Sequence, residues 1–167
     1  GLRDLQEEET LRRFIGTLRE AQERLGARHG ARKPTLLKIA PDLAEPELDA
    51  IAEVLLASGV DGVICTNTTV DHSAVASDPQ SQQAGGLSGR PLMARATAVQ
   101  RGMAERLKGK VGIIGVGGIL EGDDAVTKLD AGAALVQIYS GLIYRGPALI
   151  AECVEEIRRQ RGAADAR

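Results

Sequence analysis

Four short apolar runs constrain this chain more than any other feature. Each is stopped by glycine, proline or polar residues, and helical periodicity separates one from the next. They are Leu36-Leu37-Lys38-Ile39-Ala40, residues 60–65 (VDGVIC), residues 111–116 (VGIIGV) and residues 134–138 (ALVQI). Their length suits strands, and near-continuous hydrophobicity is how parallel strands covered on both faces read. Spacings of three and four then place Leu5, Leu11, Phe14, Ile15, Leu18, Ala21 and Leu25 on one face of a helix over residues 5–26, ended by Gly26 and Gly30. Pro46 suits the first turn of a second helix, with Leu48, Ile51, Ala52 and Leu55 inward and Gly59 at its end. Pro91 opens a third, with Leu92, Ala96, Val99, Met103 and Leu107 inward. A short helix over 123–131 ends at Gly132. Pro147 starts the last, with Leu149, Ile150, Cys153, Val154 and Ile157 on one face.

Alternating strand and helix predicts a parallel α/β sheet. The unit recurs weakly, since GVDGVICTNT and GAALVQIYSG both begin at a helix-ending glycine. This is the grammar of a (β/α)8 TIM barrel, which needs eight strands and about 250 residues. Four strands in 167 residues leave a small open sheet or half a barrel. A start inside a helix, with no strand before it, favours the half. The expected domain is 1–161, with 162–167 a small, polar, frayed tail.

The 43% of hydrophobic residues supplies a core, while 2% aromatics means Leu, Ile, Val and Ala must build it. A net charge of −2 with so few aromatics argues against a nucleic-acid partner and against base-stacking platforms. Cys65 and Cys153 stand in no CxxC pattern. With only two histidines, no metal site is expected, and both thiols read as small core residues in a reducing compartment. His29 and His72 read as solvated, as does the Glu7–Glu9 cluster. No apolar run reaches the roughly 18 residues of a membrane-spanning helix, and no signal-peptide pattern opens the chain.

In parallel α/β folds the chemistry sits at the carboxyl ends of the strands. The third strand ends in Gly115-Val116-Gly117-Gly118 and the fourth in Gln137-Ile138-Tyr139-Ser140-Gly141. Glycines let backbone N–H groups approach an anion, and a following helix N-terminus adds favourable dipole charge. If these are the last two strands of a barrel, they form a phosphate grip; otherwise GVGG is a tight strand–helix turn. Lys38 is either a charge aimed into the mouth or a lysine snorkelling from the sheet end. Thr66, Asn67 and Thr68 either orient a planar hydrogen-bonding substrate or form a turn cluster. Residues 70–89 read as a long polar loop, functional or mobile. No candidate base with a partner at readable spacing is visible.

Five segments in order carry a resemblance: LLKIAPDL (36–43), DGVICTNTT (61–69), GGLSGRPL (85–92), IIGVGGI (113–119) and AGAALVQIYSGLIYRGP (131–147). Together they resemble the carboxyl half of the dihydroorotate dehydrogenase family, in particular its class 2, quinone-linked members. The resemblance implies a (β/α)8 barrel holding FMN, of which this chain supplies the last four β/α units. It implies oxidation of dihydroorotate to orotate in pyrimidine synthesis, with quinone as acceptor. It places Lys38 against the flavin, where positive charge stabilises the reduced, anionic ring. It places Thr66 on FMN, Asn67 and Thr68 on the orotate ring, and Gly89, Gly118, Tyr139 and Ser140 at the FMN phosphate. Ser140 stands where the family commonly has Thr, and Gly112 where it has Pro.

The family's catalytic base is a serine in a motif ending Gly-Leu-Arg, which Gly1-Leu2-Arg3 matches. The base and the first four strands are therefore expected upstream, and no catalytic residue is assigned in this chain. So are the helices that meet quinone at the membrane surface, on the cytoplasmic face of a bacterial inner membrane or on the mitochondrial inner membrane. The chain alone is expected to be catalytically silent, and to need a companion fragment or self-association to cover its open edges. Two other readings stay open: a non-catalytic phosphate- or nucleotide-binding half-barrel, and another FMN-dependent barrel oxidoreductase.

Overall fold

The computed structural model describes residues 8–165, so Gly1–Arg3, Leu5 and Glu7 lie outside the described residues. The elements run α1 (Glu8–His29), β1 (Leu36–Ile39), α2 (Glu45–Ser58), β2 (Gly62–Cys65), α3 (Met93–Leu107), β3 (Gly112–Val116), α4 (Gly122–Asp130), β4 (Leu135–Gln137), α5 (Ser140–Arg145) and α6 (Ala148–Asp165). The four strands form one parallel sheet in the order β1-β2-β3-β4. The expected alternation of strand and helix is borne out, with sequential strands as neighbours.

Local chemistry sets the boundaries. α2 has Pro46 in its first turn beside Glu45 and Glu47, and Gly59 caps it in the left-handed region at φ 66°, as the sequence predicts. α1 differs from expectation: it runs through Gly26 to His29 and stops at Gly30, whose φ is +68°. α6 continues past Gly162 to Asp165. The segment after β2 is ordered by two short 3₁₀ turns, Ser73–Val75 and Pro79–Gln82.

Register explains the core. Leu37, Val63 and Ile113 form one cross-strand row, and Ile39, Cys65, Gly115 and Val136 form another. Side chains alternate across a strand, so both rows share a face. That face packs against Leu11 and Ile15 of α1, Leu48, Ile51 and Leu55 of α2, and Val99, Met103 and Leu107 of α3. A second cluster joins Ile119 to Ala125 of α4 and Leu149 and Cys153 of α6. Both cysteines are buried and free.

The intervening row, Lys38–Ile64–Ile114–Leu135, belongs to the opposite face. There Lys38 is exposed, Ile64 and Ile114 are half-buried, and Leu135 is 63% exposed. The runs are apolar on both faces, but among the described residues the helices pack on one of them. Leu18 and Leu25 of α1 and Ile150 and Val154 of α6, expected inward, are also exposed.

Candidate functional site

Lys38, Thr66, Asn67, Thr68, Gly89, Gly118, Tyr139 and Ser140 all line one cavity of about 240 Å³ at the carboxyl ends of the strands. Strand order dictates this convergence. Lys38 is the third residue of β1. Thr66–Thr68 directly follow β2, Gly118 follows β3, and Tyr139–Ser140 follow β4 and open α5. Gly89 comes from the loop that precedes α3 and lies beside Ser140, so that a Cβ added to it would sit 3.9 Å from the Ser140 Cβ.

The glycines after β3 serve more than one purpose. Gly117 and Gly118 have φ of 100° and 84°, a region that L side chains rarely adopt. A Cβ on Gly118 would also lie 2.4–2.7 Å from Met93 atoms at the start of α3. The turn is therefore held closely against α3 while it lines the cavity. Gly115 does different work. Its missing side chain makes room for Gln100 and Lys128, since a Cβ there would lie 2.6 Å from Gln100 Oε1. A close approach also explains Gly141, where a Cβ would meet the Ile119 carbonyl oxygen at 2.1 Å.

The segment after β2 is tightly bound to its neighbours. The peptide bond between Cys65 and Thr66 is cis. The Thr66 amide donates to Val116 O at 3.3 Å and the Asn67 amide to Ile39 O at 2.7 Å. The Thr66 hydroxyl donates to Asn67 O at 2.9 Å, and the Asn67 side-chain oxygen accepts from the Thr68 amide at 3.0 Å. Thr66 is only 2% exposed, whereas Asn67 is exposed and Thr68 half-buried. Lys38 contributes a cation to the same wall.

The sequence reading did not single out several groups that build this site. Ser88 Oγ lies 2.8 Å from Ser140 Oγ, which pairs two hydroxyls at the end of the cavity formed by Gly89 and Gly118. Arg90, one residue beyond Gly89, donates to Asp124 Oδ1 at 2.6 Å and Glu121 Oε1 at 3.1 Å. Asp124 Oδ2 in turn accepts the Leu120 and Glu121 amides at 2.8 and 3.1 Å. One carboxylate thus caps α4 and anchors the Gly89 loop to it. Isolated charges in a sequence give no sign of such long-range pairing. His72, read as solvated, is half-buried; its Nδ1 lies 2.7 Å from Ser81 O, which braces the loop after β2. His29 is exposed, as expected.

Parallel strands with helices on one face, and a cavity at their carboxyl ends, define half of a β/α barrel. The sequence model described as dihydroorotate dehydrogenase matches residues 1–160, and the chain belongs to that family. Among curated relatives it is 60% identical over 163 residues to the dihydroorotate dehydrogenase (quinone) of Stenotrophomonas maltophilia (strain K279a), covering 98% of this chain and 46% of the relative. It is 59% identical over 161 residues to that of Xanthomonas campestris pv. campestris (strain B100), covering 96% and 46%. Among solved structures, a dihydroorotate dehydrogenase from Eimeria tenella, in complex with ferulenol, superposes with a TM-score of 0.91 at 36% identity, covering 99% of this chain and 48% of that one. The chain therefore spans about half the length of the relatives it matches. Its four-stranded sheet is the corresponding half of a TIM barrel.

Proposed function

We propose that this chain forms the carboxyl half of an FMN-dependent dihydroorotate dehydrogenase that oxidises dihydroorotate to orotate and passes the electrons to quinone. The observation that carries the reading is the convergence of all eight candidate residues on one cavity in a member of this family. The cavity's chemistry suits FMN. Backbone turns at Gly89, Gly117 and Gly118 with positive φ and the paired Ser88 and Ser140 hydroxyls offer donors to a phosphate. FMN supplies the redox chemistry when bound.

The chain's own residues bind and orient. Lys38 holds a positive charge at the β1 end, where it favours a ligand that accumulates negative charge. Thr66 would contact the flavin, and its hydroxyl bond to Asn67 O keeps the strand end rigid. The Asn67 side-chain oxygen is fixed by the Thr68 amide, so its NH₂ is oriented to donate to a substrate carbonyl. The Thr68 hydroxyl adds a contact to the same ring. Ser140, Tyr139, Gly118 and Gly89 would hold the phosphate. Proton removal falls to a serine outside this chain. Quinone access and attachment to the inner-membrane surface also fall to regions outside it. No helix among the described residues is long and apolar enough to cross a membrane.

The uncovered sheet face and the open β1 and β4 edges are closed by a companion half or by a second copy. The test is a fusion of this chain behind the amino-terminal half of its Stenotrophomonas maltophilia relative. The purified fusion is expected to show bound flavin absorbance, which dihydroorotate bleaches in the absence of oxygen. A folded fusion that binds no flavin overturns the reading. The chain alone, supplied with FMN and a quinone, is expected to form no orotate, and orotate formation would contradict the division of labour.

A further inference from the structure

We propose that Asp42 is a positioning residue that holds the Asn67–Thr68 segment in register with the cavity. The inference rests on reading Asn67 and Thr68 as substrate contacts. Asp42 lies three residues beyond β1 and takes no part in capping α2, where Glu47 instead accepts the Ala44 amide at 2.7 Å. Its side chain is 18% exposed, and both oxygens are directed across the sheet end. Oδ1 accepts the Thr69 hydroxyl at 2.5 Å and Oδ2 accepts the Val70 amide at 3.0 Å. Arg95 of α3 donates to Oδ1 at 2.8 Å and also to Asp71 Oδ2 at 2.6 Å. Thr69 is 4% exposed, and its hydroxyl accepts the Asp71 amide at 3.0 Å while it donates to Asp42. Its hydroxyl is therefore fixed on both its donor and acceptor sides.

The clamp reaches further through the backbone. Thr69 exchanges two hydrogen bonds with Leu87, at 3.1 and 2.7 Å, which leads directly into Ser88 and Gly89. Gly86 lies so close to Thr68 that a Cβ there would fall 1.8 Å from the Thr68 hydroxyl oxygen. One carboxylate after β1 thus grips the start of the β2–α3 connection at Thr69 and Val70. Lys38, Gly118 and Ser140 stand on other elements and make no hydrogen bond to Asp42 among the described residues. Gly89 keeps its own anchor through Arg90, which donates to Asp124 Oδ1 at 2.6 Å, so loosening the clamp should weaken substrate binding while the cofactor stays in place.

The test has two arms. In the 167-residue chain, hydrogen exchange of the Val70 amide is followed with the Ile39 and Val63 amides as references. Asp42→Asn and Thr69→Val are each expected to speed Val70 exchange about tenfold and leave the references unchanged, and Thr69→Ser to restore protection. In the fusion with the relative's amino-terminal half, the same two variants are expected to raise the KM for dihydroorotate and the Kd for orotate about tenfold. Flavin content and kcat should stay within about twofold, with Thr69→Ser again restoring the parent values. Unchanged Val70 exchange overturns the clamp whatever the fusion does. So does a matched loss of flavin and orotate binding, which marks a general structural role, or a Thr69→Ser chain that behaves like Thr69→Val. If the parent fusion folds yet binds neither FMN nor orotate, the functional reading fails, and the exchange arm still decides the clamp.

Discussion

Lys128 lies fully buried against α3. Its ammonium donates to the Thr97 hydroxyl at 2.8 Å, and its carbonyl accepts from Gln100 Nε2 at 2.5 Å. Burial disfavours the charged form and brings its pKa down to about 8, against about 10.4 for an unfolded lysine. Between those values the unfolded chain holds a proton that the folded chain has lost, so this group adds stability as pH rises. Burial pushes the Cys65 thiol up to about 12 and Cys153 in the same direction. Both thiols oppose the lysine in alkaline solution, so the signature is a difference between variant and parent. Lys128→Met is expected to lose up to about 1 kcal/mol per pH unit relative to the parent between pH 8 and 10, read by urea unfolding at fixed protein concentration. Parallel curves would show that Lys128 does not titrate there. Lys38 is the contrasting case, an exposed lysine at a strand mouth. Lys38→Met in the flavin-loaded fusion is expected to lower the two-electron flavin potential by about 30 mV, equivalent to ~1.4 kcal/mol. Lys38 was legible because a charge interrupts an apolar strand. Lys128 was not, because a lysine in a short helix reads as surface until the packing is known.

At the scale of elements, Asp124 links α4 to the loop carrying Gly89. Asp124→Ala removes acceptors for the Leu120 and Glu121 amides and for Arg90. The expected cost is about 2 kcal/mol, measured by chemical denaturation, with weaker flavin retention in the fusion. Asp124→Asn keeps one acceptor oxygen and should recover part of both. A flavin affinity unchanged in Asp124→Ala would separate the cap from the proposed phosphate site. Element order and most inner helix faces were readable from the sequence. Leu48, Ile51, Ala52, Leu55, Leu92, Ala96, Met103 and Leu107 are all buried. α5 carries no helical signal in the sequence, because six residues between Tyr139 and Gly146 hold too little periodicity to register. The apolar faces of α1 and α6 are wider than their buried faces, since periodicity marks which side is apolar but not what covers it.

For the whole molecule, the uncovered sheet face leaves Leu135 of β4 63% exposed, and beside it Tyr139, Ile143 and Tyr144 at and within α5 are exposed at 75%, 74% and 81%. The chain by itself is expected to associate at micromolar concentration, and Leu135→Lys with Ile143→Lys to shift it toward monomer in gel filtration. A stable monomeric parent would argue against an edge-to-edge contact. Alternating elements, a parallel sheet and the residues at the strand mouths are all legible in the chain's residues. These follow from short-range periodicity and from where glycine and proline interrupt it. Packing in three dimensions is what shows that Asp42 grips the Thr69 loop, that Arg90 reaches Asp124, that Lys128 is buried and that no described helix covers one face of the sheet. Each of these depends on groups far apart in the chain meeting in space, and no local pattern encodes such distances.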